Sequence, residues 1–204
     1  MIAVIDYGVG NLFSLCCSLK YIGREAVITG DKAVIKRCDK MLLPGVGAFE
    51  DAMMKLRDGS LNEFIIQEVK SGKPLLGVCL GMQLLFDRSL EFGRHEGLGL
   101  ISGAVMPIEN RIPEGYKIPH IGWNALKFPE GARSPLLKYT SEGDHVYFVH
   151  SYHAEQCEQA VTATAEYGAE LTAAVSMGNV FGTQFHPEKS GEVGLNILRA
   201  FAEL

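Results

Sequence analysis

No apolar run in this chain exceeds a few residues; Ile2–Ile5 is typical. A membrane-spanning helix needs ~20, so none is expected. The first residues lack a basic leader, and Asp6 interrupts their apolar run, so no secretory signal is read there. Clustered Lys and Arg are also missing, and the net charge is −5, which argues against nucleic acid and anionic lipid as partners. Cysteines are few and odd in number: Cys16, Cys17, Cys38, Cys79 and Cys157. Without zinc-ligand spacing or a leader they read as reduced thiols of a cytoplasmic protein, with no metal site expected. Repeats, low-complexity tracts and flexible linkers are absent too. What remains is a chain of 204 residues, 47% hydrophobic and only 21% charged, which excludes disorder and is the right size for a single domain spanning 1–204.

The first half alternates short apolar strands with helices. Strands are expected at Ile2–Asp6, Ala26–Thr29, Met41–Leu43 and Leu75–Val78. Asn11 opens a helix carrying Leu12, Leu15, Cys16 and Leu19, and Ser60 opens another carrying Phe64, Ile65 and Val69. A third helix is read over Leu80–Arg88. Continuous apolar strands between helices imply a mostly parallel central sheet flanked by helices, an α/β fold. The second half is rich in β-branched and aromatic residues. It suggests an antiparallel β extension, with strands at Val105–Ile108, Gly122–Phe128, His145–His150, Val161–Glu166, Thr172–Ser176 and Val180–Phe185. Met177-Gly178-Asn179 reads as a hairpin turn, and Ser190 opens a last helix carrying Val193, Ile197, Leu198 and Phe201.

The sharpest motif is Gly77-Val78-Cys79-Leu80-Gly81, between an expected strand and an expected helix. A nucleophile on a tight, strained turn needs small residues two positions away on both sides. The turn presents the thiol at the carboxyl end of the sheet, where open α/β sheets bind ligands, and the helix N-terminus favours thiolate. The Leu80 N–H then points where an oxyanion would form. Cys16, Cys17, Cys38 and Cys157 read as buried core thiols, the commoner fate of a free cysteine.

A thiol nucleophile needs an acid/base partner. Of the six histidines, His186 ends an apolar strand and precedes Pro187-Glu188. Residues i and i+2 of an extended chain share a face, so Glu188 can hold the imidazole in one tautomer. His95 and His145 read as surface or satisfied residues. His120, His150 and His153 stay undecided, as residues that line a site without acid/base work. Pro44-Gly45-Val46-Gly47 follows the third strand, and its glycines free backbone amides for an oxyanion or a substrate backbone. It is not a dinucleotide fingerprint, because the third glycine position holds Glu50; the same test fails at Gly8-Val9-Gly10, where Phe13 stands.

Together, Gly77-Val78-Cys79-Leu80-Gly81-Met82-Gln83 and Phe185-His186-Pro187-Glu188 resemble the class I (triad) glutamine amidotransferases. Pro44-Gly45-Val46-Gly47, His120-Ile121-Gly122-Trp123-Asn124, Tyr147-Phe148-Val149-His150-Ser151-Tyr152 and Pro187-Glu188-Lys189-Ser190 are similar to one branch, the glutaminase subunits of imidazole glycerol phosphate synthases in histidine biosynthesis. The resemblance spans nearly the whole chain. It implies a Cys79–His186–Glu188 triad that hydrolyses glutamine through a thioester, without cofactor or metal. It implies oxyanion donors at Leu80 and in the Val46–Gly47 loop, the latter after a peptide flip at Val46. Gly45, Gln83, Glu91, Ser151 and Tyr152 match substrate-binding positions; Trp123, Tyr147 and Lys189 match an interface with a β/α-barrel cyclase subunit that receives ammonia. At 204 residues, a second catalytic domain is expected on a separate polypeptide. The same residues leave open a glutaminase serving another ammonia-using synthase, a different cysteine hydrolase, or a sensor domain with a redox thiol at Cys79.

Overall fold

The structure, a computed structural model, describes residues 1–131 and 134–204. In chain order its elements are β1 (Ile2–Ile5), α1 (Leu12–Tyr21), β2 (Ala26–Thr29), α2 (Lys32–Arg37), β3 (Lys40–Leu43), α3 (Phe49–Asp58), α4 (Leu61–Lys70), β4 (Leu75–Val78) and α5 (Leu80–Gln83). There follow β5 (Phe86–Ser89), β6 (His95–Glu96), β7 (Ile101–Pro107), β8 (His120–Lys127), β9 (His145–His150), β10 (Tyr152–Glu155), β11 (Val161–Glu166), β12 (Glu170–Met177), β13 (Val180–Thr183) and α6 (Gly191–Ala202).

One sheet of nine strands runs β2-β1-β3-β4-β13-β12-β11-β8-β9. Pairing is parallel from β2 through β13 and antiparallel from β13 to β9. The expected antiparallel extension is therefore a continuation of the parallel sheet itself. A second sheet, β10-β7-β5-β6, lies apart from it and was not anticipated. Alternation along the parallel strands sorts side chains onto two cores. Ala3, Ile5, Met41, Leu43 and Leu75 pack toward α2, α3 and α4 on one face. Ile2, Val4, Leu42, Leu76 and Val78 pack toward α1 and α6 on the other. With both faces covered, β1, β4 and β13 are buried at every position, which is why β1 and β4 carry no polar side chain.

The helix expected over Leu80–Arg88 ends after one turn, and Phe86–Ser89 is instead strand β5, paired in parallel with β7. Residues Leu80 to Phe86 are all buried, so the stretch has no polar stripe to fix a helical face. Helices α2 and α3 and strands β6 and β10 went unread. Of the thiols expected in the core, Cys38 and Cys157 are buried, but Cys16 is half-buried and Cys17 exposed, because α1 turns that face to solvent. Helix α2 is only six residues, capped by Asp31 accepting from the Ala33 N–H at 2.8 Å. Neither Asn11 nor Ser60 makes a side-chain cap; the Asn11 amide is spent elsewhere, on Glu188. The two-residue Gly178-Asn179 turn joins β12 to β13 as expected, with Met177 opposite Val180.

Candidate active site

Because β1, β3, β4 and β13 are parallel, their carboxyl ends meet at one edge, beside the order reversal between β1 and β3 where open sheets bind ligands. Cys79 leaves β4 with φ 56° and ψ −113°, a strained backbone for a residue with a Cβ. Its neighbours explain the two glycines. A Cβ on Gly77 would lie 2.5 Å from the Gly81 carbonyl oxygen, and one on Gly81 would overlap the Leu43 carbonyl. Gly45 closes the same contact from the next strand, with a virtual Cβ 2.6 Å from the Gly81 nitrogen. Gly45 is thus buried beneath the elbow and packs against it, whereas Val46 and Gly47 line the cavity above.

The β4–β13 register pairs Val78 with Thr183, and the Cys79 N–H donates to the Thr183 carbonyl at 2.8 Å. The chain beyond β13 therefore passes beside the thiol. There His186 is buried, with Nδ1 2.8 Å from Glu188 Oε1. The Glu188 side chain is fully enclosed; its Oε1 also accepts from Asn11 Nδ2 at 3.4 Å, and its Oε2 has no partner. With Nδ1 committed to Glu188, Nε2 is the nitrogen left for the Cys79 thiol. Burial works against a charged His186, but hydrogen bonds to Cys79 and Glu188, with their charges, outweigh it and raise the imidazole to about 9.

A cavity of about 480 Å³ opens over Cys79. Its walls include Val46 and Gly47, Leu80, Gln83 and Glu91, Ser151 and Tyr152, His186 and Lys189. Of the residues matched to substrate binding, all but Gly45 line it. Gln83 is tied down, its Nε2 donating to the Tyr152 carbonyl and to Gln184 Oε1, both at 3.0 Å. Glu91 Oε2 accepts the Phe49 N–H at the start of α3 at 2.6 Å. Burial raises the Glu91 carboxyl, while that N–H and His95 oppose the shift.

Trp123 and Tyr147 come together beside Lys189, which lines the cavity. Trp123 and Tyr147 face each other across β8 and β9, with rings 6.0 Å apart, and Lys189 Nζ lies 5.7 Å from the Tyr147 ring. Ile121, two residues from Trp123 on the same face, is also exposed, so the patch is apolar. The opposite face of β8–β9 buries His120, Phe148 and His150.

Sequence reading missed three contributors. Gln184 reaches Cys79 Sγ at 3.8 Å through Nε2. Tyr7 donates to the Pro44 carbonyl at 2.7 Å, and its hydroxyl is pushed upward by burial and by the charge of Cys79. Asn11 supports Glu188. Position two before His186 was a usable signal for Gln184; Tyr7 and Asn11 come from loops that only the parallel register brings near.

Residues 3–203 match the family described as glutamine amidotransferase class-I. Over all of this chain and 97% of its own length, a Geobacillus sp. (strain WCH70) protein named imidazole glycerol phosphate synthase subunit HisH is 50% identical. A protein of the same name from Geobacillus thermodenitrificans (strain NG80-2) is 51% identical over 98% of this chain and 94% of its own. A solved structure described as glutamine amidotransferase superimposes over the full length of both chains with a TM-score of 0.75 at 20% identity, a likeness of fold.

Proposed function

The chain belongs to the class I glutamine amidotransferases, and from that premise we propose that it is the glutaminase subunit of an imidazole glycerol phosphate synthase, acting in histidine biosynthesis as a single domain in the cytoplasm. The observation that carries the chemistry is the left-handed Cys79 with the His186–Glu188 pair behind it. Relatives of that subunit name at about half identity over the full chain support the specific assignment.

Cys79 Sγ attacks the side-chain carboxamide carbon of glutamine. The oxyanion is met by the Leu80 N–H and by an amide of the Val46–Gly47 loop. His186 Nε2 gives its proton to the departing ammonia, leaving a thioester, then takes a proton from water as that water attacks. Glutamate leaves and the thiol is restored. Glu188 holds the ring in the tautomer that points Nε2 at the thiol and steadies its charged form. Gln83, Glu91, Ser151 and Tyr152 grip the amino-acid end of the substrate, with Gly45 setting the loop against the elbow.

Ammonia is nucleophilic only unprotonated, so it must reach its acceptor without meeting bulk water. The patch of Trp123, Tyr147 and Ile121, joined to the cavity through Lys189, suits a docking face for a β/α-barrel cyclase subunit. No helix among the described residues is long and apolar enough to cross a membrane, in keeping with that setting. The test is glutamine hydrolysis with and without the cyclase and its nucleotide ligand. Weak activity alone and a marked rise with the partner are expected; equal activity in both would overturn the subunit assignment.

A further inference from the structure

A chain of hydrogen bonds runs beneath the cavity wall between two backbone carbonyls. At one end, Asn124 Nδ2 donates to the Glu166 carbonyl at 2.9 Å. Asn124 Oδ1 lies 2.8 Å from His120 Nε2, His120 Nδ1 lies 3.0 Å from His150 Nε2, and His150 Nδ1 lies 2.9 Å from the Tyr152 carbonyl. Both histidines are buried, and the His120 ring is clamped between Tyr167 and Phe148, stacked on each at 4.0 and 5.0 Å.

The three contacts made by the two rings need three N–H protons, but two neutral imidazoles carry only two. Asn124 cannot supply the third. Turning its amide over would set Oδ1 against the Glu166 carbonyl, oxygen to oxygen. A third proton would make one ring cationic. Burial opposes that at both sites: it holds His120 below its ordinary value against the Asn124 bond, and it takes His150 down to about 3. The nearby His120, His153 and His186 rings push His150 the same way.

The neutral pair therefore leaves one of the three contacts without a proton, and two of its states keep the bond between the rings. In one, His150 Nδ1–H donates to the Tyr152 carbonyl, His120 Nδ1–H donates to His150 Nε2, and the Asn124 contact is lone pair against lone pair. In the other, His120 Nε2–H donates to Asn124, His150 Nε2–H donates to His120 Nδ1, and Tyr152 loses its imidazole donor. Passing between them moves each ring's proton from one nitrogen to the other, with no proton gained or lost.

We propose that His120 and His150 are positioning residues that act as one tautomeric switch, trading the bond that holds the Ser151–Tyr152 wall of the cavity against the bond that holds Asn124 on β8. Tyr152 keeps its Gln83 bond in both states, so the switch adjusts the wall without releasing it. Its effect on glutamine binding rests on the glutaminase reading; the two-state tautomer pattern does not.

The test uses the full chain with 15N-labelled histidine and one-bond and long-range 1H–15N correlation. In the native protein both nitrogens of His150 should resonate between the protonated and unprotonated positions. Asn124→Ala removes the competing acceptor, and His120→Phe removes the competing ring while keeping the stack. Each should drive His150 fully to Nδ1–H. Nitrogen shifts that do not move in either variant, or a native His150 already locked as Nδ1–H, would overturn the switch. The KM for glutamine should fall in Asn124→Ala by the reciprocal of the native Nδ1–H fraction, about twofold if the two states are equally populated. An unchanged KM with a shifted tautomer would overturn the positioning role. A shifted tautomer in a protein that does not hydrolyse glutamine at all would leave the switch standing and refute the glutaminase reading.

Discussion

Replacing Glu188 by Gln removes a charge while leaving the shape, and the surroundings dictate how the new amide must sit. Both donors at this carboxylate, His186 Nδ1 at 2.8 Å and Asn11 Nδ2 at 3.4 Å, converge on Oε1. The amide oxygen of Glu188→Gln must take that place, which puts its NH2 where Oε2 now has no partner. The imidazole keeps its tautomer and loses only the charge. A hydrogen bond to a charged group is worth about 1.5–3 kcal/mol and a neutral one about 0.5–1.5 kcal/mol. The difference of ~1–2 kcal/mol corresponds to a roughly five- to thirtyfold fall in kcat/KM for glutamine. Glu188→Ala is a different perturbation, because the ring then loses orientation as well as charge, and mis-set tautomers in such triads cost on the order of 10⁴. Steady-state ammonia release by the two variants, with the partner present, separates these cases. If Glu188→Gln falls as far as Glu188→Ala, the convergence of both donors on Oε1 does not set the tautomer, and the reasoning fails.

Other outcomes follow from the same geometry. Gly81→Ala forces a Cβ onto the Leu43 carbonyl, a backbone atom that cannot swing away. It should cost about 1–3 kcal/mol in urea unfolding and displace Cys79 with loss of activity; a stable, active variant would contradict the elbow geometry. His186, raised from 6.5 to about 9, is protonated more readily folded than unfolded. Its contribution, on the order of 3 kcal/mol, is complete below about pH 6.5 and is lost as pH rises toward 9. Unfolding curves at pH 6 and 9.5 should therefore converge more in His186→Ala than in the native protein, and equal differences would refute the assignment. Trp123→Ala removes the large ring of the apolar patch, and cyclase binding measured by calorimetry should weaken by about 2 kcal/mol or more; unaltered binding would place the partner elsewhere.

The parts legible in the sequence are those with local physical causes. Gly77 and Gly81 announce the elbow because no Cβ fits at either, and that constraint is written into five consecutive residues. His186 and Glu188 are legible because extended chain puts i and i+2 on one side. The central parallel strands β1 and β4 show as apolar runs because helices cover both faces. The illegible parts depend on contacts distant in sequence. Strand β5 looks helical because Leu80 to Phe86 are buried throughout and mostly apolar, without a period, and only pairing with β7 makes Phe86–Ser89 extended. Tyr7 and Asn11 join the site through strand order. His120 and His150 are thirty residues apart and meet only because the β8–β9 register places them opposite each other.

The central claim is that Cys79, alone among five cysteines, is the nucleophile that opens glutamine. An electrophilic glutamine analogue, such as a diazoketone, followed by peptide mass analysis, tests it most directly. The account predicts one adduct per chain, on Cys79, prevented by excess glutamine and accompanied by loss of ammonia release; Cys79→Ala should take no label and release no ammonia. An adduct on Cys16, Cys17, Cys38 or Cys157 with activity lost in step, or ammonia release by Cys79→Ala at the native rate, would contradict it.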